Sequence, residues 1–151
     1  MDEKKVLDRL QRLCSKAEYC TSDVMRKALK SLEGDSSAAS RVVAALVKER
    51  YVDDARYASA FSREKASLQG WGPVKIRYAL RSKGITGSVA DEAIAEACGV
   101  DEALSRMEKL LAAKARTLRG DPAARPKLLR FALGRGYTYD QAVPVVEKLF
   151  D

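Results

Sequence analysis

One helix pattern occurs twice in this chain and ends the same way both times. Lys75-Ile-Arg-Tyr-Ala-Leu-Arg-Ser-Lys-Gly84-Ile85 reads as a short helix with a basic last turn and a glycine stop. Lys127-Leu-Leu-Arg-Phe-Ala-Leu-Gly-Arg-Gly136-Tyr137 aligns with it without a gap, Lys to Lys and Gly to Gly. A cation in the last turn complements the helix dipole, and a glycine just beyond it takes the left-handed conformation that closes the helix. Recurrence of this punctuation about 50 residues apart marks a repeat built from one supersecondary unit. Repeated helical units present one extended surface, and such surfaces bind other macromolecules.

The rest of the chain reads as helix too. No segment alternates strictly with β-branched enrichment between turn signals. The one candidate strand, Arg41-Val-Val-Ala-Ala-Leu-Val, has helical flanks. The predicted fold is all-α: three tandem three-helix repeats, over residues 1–52, 53–98 and 99–151, forming an elongated, curved array. In the first unit Val6, Leu7, Leu10 and Leu13 fall at helical spacing. Thr21, Ser22 or Asp23 is expected to cap the second helix, with Gly34 as its stop. A third helix is expected from about Ala38 to Arg50. Asp53 or Asp54 caps the fourth, and Pro73 suits the first turn of the fifth. A short acidic helix over 88–97 and a long one over 101–118 follow. Helices over 124–135 and 139–150 close the chain, and Pro144 predicts a late start or a kink in the last. Units this small bury little core alone and are expected to pack on their neighbours.

The chain has 151 residues, a net charge of +7 and no histidine. The absence of His removes the commonest general base and metal ligand, so no catalytic set and no metal site are expected. Cys14, Cys20 and Cys98 are odd in number, fit no metal spacing, and are expected as small buried hydrophobes in a reducing compartment. No phosphate-binding loop signature is present. No run approaches the ~18 apolar residues of a membrane helix, and no secretory leader is recognisable, which leads us to expect a cytoplasmic protein without membrane contact.

The charge is banded. From Arg56 to Lys83 seven cations face one anion, Glu64; from Gly84 to Glu108 six anions face Arg106; from Lys109 to Arg135 eight cations face Asp121. Such banding is an electrostatic footprint for nucleic acid or an acidic partner, set against the plainer reading of solvated helix faces. On the helix at 75–83, Ile76, Ala79 and Leu80 should face inward. Arg77 and Arg81 share another face, either free for phosphates or paired with Asp91 or Glu92, and Tyr78 is placed to stack on a base. On the helix at 127–135, Leu128, Phe131 and Ala132 should be the inner face. Taken from charge and facing, the partner- or DNA-binding candidates are Arg56, Lys75, Arg77, Tyr78, Arg81, Lys83, Lys114, Arg116, Lys127, Arg130 and Arg135. Trp71, between two glycines, either packs on the helix at 54–69 or is an exposed anchor for a partner.

Three segments resemble the motifs of the RecX family of bacterial recombination regulators. They are Tyr51-Val-Asp-Asp-Ala-Arg-Tyr-Ala-Ser-Ala-Phe61, Gly72-Pro-Val-Lys-Ile-Arg-Tyr-Ala-Leu-Arg-Ser-Lys-Gly-Ile85 and Arg130-Phe-Ala-Leu-Gly-Arg-Gly-Tyr137. Tyr19-Cys-Thr-Ser-Asp-Val24 is similar to the family's first-unit segment. The resemblance implies three tandem three-helix repeats and no enzyme activity or cofactor. It implies a chain that binds the RecA recombinase in the groove of its DNA filament and, as is usual in the family, opposes filament growth and ATP hydrolysis; a monomer suits an elongated regulator that must slide into a groove. Contact with single- or double-stranded DNA goes with it. Three positions depart from the family pattern: Cys20 stands where a Ser cap is common, Arg50 where a Gly often precedes the Tyr, and Ala132 where the aliphatic is larger. Besides the filament regulator, a free-standing nucleic-acid module and a protein scaffold without nucleic-acid contact fit the residues.

Overall fold

The computed structural model describes residues 2–150. Among them lie nine α-helices and no strand: α1 Glu3–Lys16, α2 Thr21–Ser31, α3 Ser36–Lys48, α4 Asp54–Ser67, α5 Pro73–Ser82, α6 Gly87–Ala97, α7 Val100–Thr117, α8 Ala124–Gly134 and α9 Tyr139–Lys148. Each helix packs chiefly on the other two of its own triplet. The fold is therefore three three-helix units in succession.

Local chemistry starts these helices. The carboxylates of Asp2, Asp35 and Asp53 accept the amides of Lys5, Ala38 and Arg56, each an otherwise unpaired donor of a first turn. Thr138 and Gln141 satisfy each other's backbone amides at the start of α9. The cap of α2 differs from expectation. The cap residue is Cys20, and Thr21 is already helical. Asp23 reaches back to accept the Cys20 amide at 3.3 Å, the part an acid at the third helical position plays in a capping box, while Asp54 of the second unit accepts the Thr21 amide. Of the late start or kink expected from Pro144, the late start is absent. Helix α9 begins at Tyr139 and runs through the proline, since its capping box fixes the first turn regardless.

Each unit has a core of its own. Val6, Leu10, Val24, Val42, Leu46 and Val52 fill the first. Ala58, Ile76, Leu80, Ile85, Ala93 and Ile94 fill the second. Met107, Leu111, Leu128, Ala132, Val145 and Val146 fill the third. Burying an aliphatic such as Leu80 or Leu128 contributes roughly 2 kcal/mol, so a few positions per unit carry much of its stability. The one core residue that crosses a boundary is Cys20, fully buried within the second unit's cluster. Burial pushes the thiols of all three cysteines up, which keeps them protonated and unreactive at neutral pH.

The units meet through the ends of their middle helices. Gly72 and Val74 amides at the start of α5 donate to the Arg135 and Gly136 carbonyls at the end of α8, at 2.7 and 2.9 Å. At the other end of α5, the Lys83 carbonyl accepts the Ser22 hydroxyl from the first turn of α2 at 2.8 Å. Helices α8, α5 and α2 thus join C-terminus to N-terminus. Donors and acceptors that a helix leaves unpaired satisfy one another, and the helix dipoles meet with opposite ends.

Candidate interaction surface

Helix α5 is held at both ends and from beneath, which fixes what its outer face presents. Ile76 and Leu80 are fully buried. Val74, Arg77, Tyr78 and Arg81 lie on the opposite side and are all exposed. Tyr78 is 73% exposed and Val74 53%, high values for apolar bodies on a short helix. With Pro73 and with Thr138 from the third unit they line a shallow groove of about 360 Å³. The groove spans the junction of the second and third units, so its width depends on how that junction is held.

The charges of this face are not equivalent. Arg77 pairs with Asp91 of α6 at 2.6 Å. Arg81 has no ionic or hydrogen-bond partner among the described residues. The groove therefore offers one uncommitted guanidinium beside an exposed aromatic ring. An arginine of that kind pairs with phosphate or carboxylate, and the ring stacks on a base or another flat group.

Most other sequence-predicted cations are committed within the fold. Arg56 bridges to Glu18 at 2.7 Å and donates to the Arg50 and Tyr51 carbonyls at the end of α3. Lys83 pairs with the buried carboxylate of Asp23 at 2.7 Å. Burial would raise that carboxyl, but hydrogen bonds from Lys83 and Cys20 outweigh it and hold it below its ordinary value. The same hydrogen bond raises Lys83. Lys75 lies 4.5 Å from the centre of the Trp71 ring, and Lys114 5.4 Å from that of Phe131. Arg135 also lies over Phe131 and donates to the Gln69 carbonyl. Lys127 pairs with Asp121 at 2.6 Å. Only Arg81, Arg116 and Arg130 of the predicted set are exposed without a partner among the described residues.

The basic bands are thus partly committed: Glu18, Asp23 and Asp91 from outside them pair with Arg56, Lys83 and Arg77, Asp121 within its own band pairs with Lys127, and Lys75, Lys114 and Arg135 lie over aromatic rings. Sequence reasoning missed Val74, Pro73 and Thr138 as groove residues. Val74 carried a signal: it lies one helical turn before Tyr78, off the face of Ile76 and Leu80, yet it is apolar. Thr138 carried none, since only the joint between units brings it to α5. Trp71 packs edge-on against Phe61 of α4, with Lys65 5.0 Å and Lys75 4.5 Å from its ring centre. Of its two readings the structure supports packing on α4. No cluster of three or more metal-ligating side chains occurs among the described residues, and no helix there is long and apolar enough to cross a membrane.

Known proteins share this sequence and this architecture. Residues 53–94, which contain α4, α5 and most of α6, match the family profile described as RecX, second three-helix domain. The regulatory protein RecX of Clostridium acetobutylicum is 30% identical over 137 residues, 87% of this chain. The chain spans only 63% of that relative's length. The regulatory protein RecX of Salmonella paratyphi A is 28% identical over 145 residues, 90% of this chain and 86% of the relative. A crystal structure of RecX from Lactobacillus salivarius superposes with a TM-score of 0.84 at 20% identity, covering 98% of this chain and 96% of that one. A second crystal structure, of a regulatory protein RecX, gives 0.83 at 23% identity over 92% of this chain and 68% of the other. The structural likeness establishes the fold of three helical units. The family's second domain sits at the motifs that define this face, and relatives of the same name align on both sides of it: residues 53–94 are a RecX second three-helix domain, and the chain is similar to regulatory proteins RecX along most of its length.

Proposed function

We propose that this chain is a non-enzymatic regulator of the RecA recombinase. It lodges in the helical groove of the RecA–DNA filament and lowers filament growth, ATP hydrolysis and strand exchange, acting in the cytoplasm. One observation carries the reading beyond family likeness. An exposed ring and an unpaired arginine, Tyr78 and Arg81, stand on a helix clamped at both ends, so the array presents them without rearrangement. Presenting a preordered contact face avoids the cost of ordering it on binding. Arg81 reaches phosphate or an acidic recombinase surface, and Tyr78 with Val74 supplies the apolar contact. Contacts from more than one unit raise affinity through effective concentration, because a filament repeats the same surface at fixed spacing.

A second reading, a free-standing nucleic-acid module, draws on the same ring and guanidinium. Fluorescence anisotropy of labelled single-stranded DNA separates the two. The filament reading expects weak binding to bare DNA and tight binding once recombinase coats it. It also expects Arg81→Glu to weaken filament binding and lower the salt slope by roughly one. Equal affinity for bare and coated DNA would favour the free-standing module. An unchanged salt slope in the variant would remove Arg81 from the contact.

A further inference from the structure

Each unit builds the same receiving face from three pieces: the loop between its first two helices, the start of its middle helix, and the end of its third helix. In the first unit this face is filled by the second. Arg56 caps the carbonyls at the end of α3 and pairs with Glu18 in the loop, while the end of α5 meets the start of α2. In the second unit it is filled by the third. Arg106 donates to the Ala97 carbonyl at the end of α6, Tyr137 hydroxyl donates to the Gly70 carbonyl in the loop, and the end of α8 meets the start of α5.

The third unit builds the same face and nothing described covers it. Its loop 118–123, the start of α8 and the end of α9 enclose an open groove of about 420 Å³. Leu118, Leu128, Leu149 and Phe150 give it apolar walls, and Phe150 is 41% exposed. Arg116 and Arg119 stand at its rim, exposed and without partners among the described residues. At the opposite end of the chain, the end of α2 is, among the described residues, the one C-terminal end of a middle helix with no hydrogen bond or ion pair to another unit. There Glu33 and Gly34 follow the cap residue Leu32 with φ of 54° and 84°. A glutamate in the left-handed region is unfavourable by roughly 1 kcal/mol, and it occupies the place that Gly84 and Gly136 hold at the filled joints. Glu33 and Asp35 are exposed against one exposed lysine of that last turn, Lys30, so the unfilled end is net acidic, while the unfilled face, whose Asp121 is paired with Lys127, is net basic.

We propose that the open face of the third unit receives the α2 end of a second copy of this chain. The contact repeats the two internal joints between molecules, with Glu33 set against Arg116 and Arg119. The charge complementarity and the repeated geometry favour a copy over an unrelated partner. The contact is head-to-tail and does not close, so it generates rows of molecules rather than a dimer. A chain that binds singly thereby lines up with its neighbours when copies are brought close, as along a polymer.

The test is sedimentation velocity on the full chain at low salt, from micromolar to submillimolar concentration, with three variants: Glu33→Lys, Arg119→Glu and the two combined. Both substitutions are on exposed positions and leave the cores intact, which circular dichroism verifies. The expected result is a sedimentation coefficient that rises with concentration. Each single reversal weakens association by roughly tenfold or more, and the combined variant recovers to within about threefold of the parent. A concentration-independent monomer would overturn the proposal. So would association insensitive to either reversal. Sensitivity to Arg119→Glu alone would show that some other segment fills the face and would equally overturn it, as would failure of the combined variant to recover.

Discussion

The two joints have one architecture and two chemistries. Between the first and second units the contact is made by side-chain charge. Lys83 pairs with Asp23, Arg56 with Glu18, and the Asp54 carboxylate accepts the Thr21 amide at 2.7 Å. Between the second and third units no ion pair forms among the described residues: backbone and glycine make the close contact, and the side chains of Arg106, Arg135 and Tyr137 donate to backbone carbonyls around it. The Gly72 and Val74 amides meet the carbonyls of Arg135 and Gly136 directly. A Cβ on Gly72 would lie 2.5 Å from the Gly136 oxygen, and one on Gly136 would lie 2.3 Å from Lys75 Cβ. The first joint is therefore tunable by pH and salt, while the second is fixed by shape. Since the exposed groove of α5 spans the second joint, the working face sits on the stiffer of the two.

Breaking the shape-based joint should have the largest effect. Gly136→Ala adds a methyl into the Lys75 backbone at a residue with φ of 96°, and roughly 3 kcal/mol of destabilisation is expected from overpacking and backbone strain together. Gly84→Ala has the same conformational penalty, with φ of 78°, but open space around it, so about 1 kcal/mol is expected. Urea denaturation of the pair measures the difference. Equal losses would mean that the close approach at Gly136 contributes nothing.

Next comes the charge-based joint. Asp23→Ala leaves Lys83 and the Cys20 amide without their acceptor. A loss of about 2 kcal/mol is expected, below the full cost of breaking a buried pair because Lys83 is one-third exposed. The pH dependence follows from the shifts. Asp23 is held below its ordinary value in the folded chain. Its contribution is complete above the unfolded pKa near 3.9 and is lost as pH falls through the lower folded value. Lys83 is raised. Its contribution is complete below the unfolded pKa near 10.4 and is lost as pH rises through the folded value. Amide exchange around α2 should increase at the acid extreme before that around Gly72 and Val74. Simultaneous opening of both joints on acidification would contradict the division.

Smaller effects sharpen the same contrast. Tyr137→Phe removes the hydroxyl that bonds the Gly70 carbonyl at 3.0 Å and should cost about 1 kcal/mol. Arg50 stands in the left-handed region with φ of 60°, a conformation that favours glycine. Arg50→Gly should stabilise the chain by roughly half a kcal/mol, as relief of strain slightly exceeds the added entropy of the unfolded chain. Thermal melts on both variants check these values, and a destabilised Arg50→Gly would mean that the arginine side chain itself supports the joint.

The units were legible because their signals are local. Helix periodicity, the aspartate cap at Asp53, Pro73 in a first turn and the glycine stops all act within a few residues. The joints were not. Gly84 and Gly136 look alike in sequence, yet only Gly136 makes a close approach, because that depends on Lys75, which lies far away in the chain. The charge bands overstated the free basic surface for the same reason. Asp23 neutralises Lys83 and Glu18 neutralises Arg56 across unit boundaries, and no window along the chain contains both partners. Of the predicted cations left unpaired, Arg81, Arg116 and Arg130, it is Arg81 that shares a groove with the exposed Tyr78 ring.

The most direct test of the regulatory reading is ATP hydrolysis by the cognate recombinase on single-stranded DNA, titrated with this protein below one copy per recombinase subunit. Strong loss of hydrolysis at that ratio, relieved in Arg81→Glu, is the expected result, since competition for bare DNA would need far more protein. Undiminished hydrolysis at every ratio, with DNA binding intact, would contradict it.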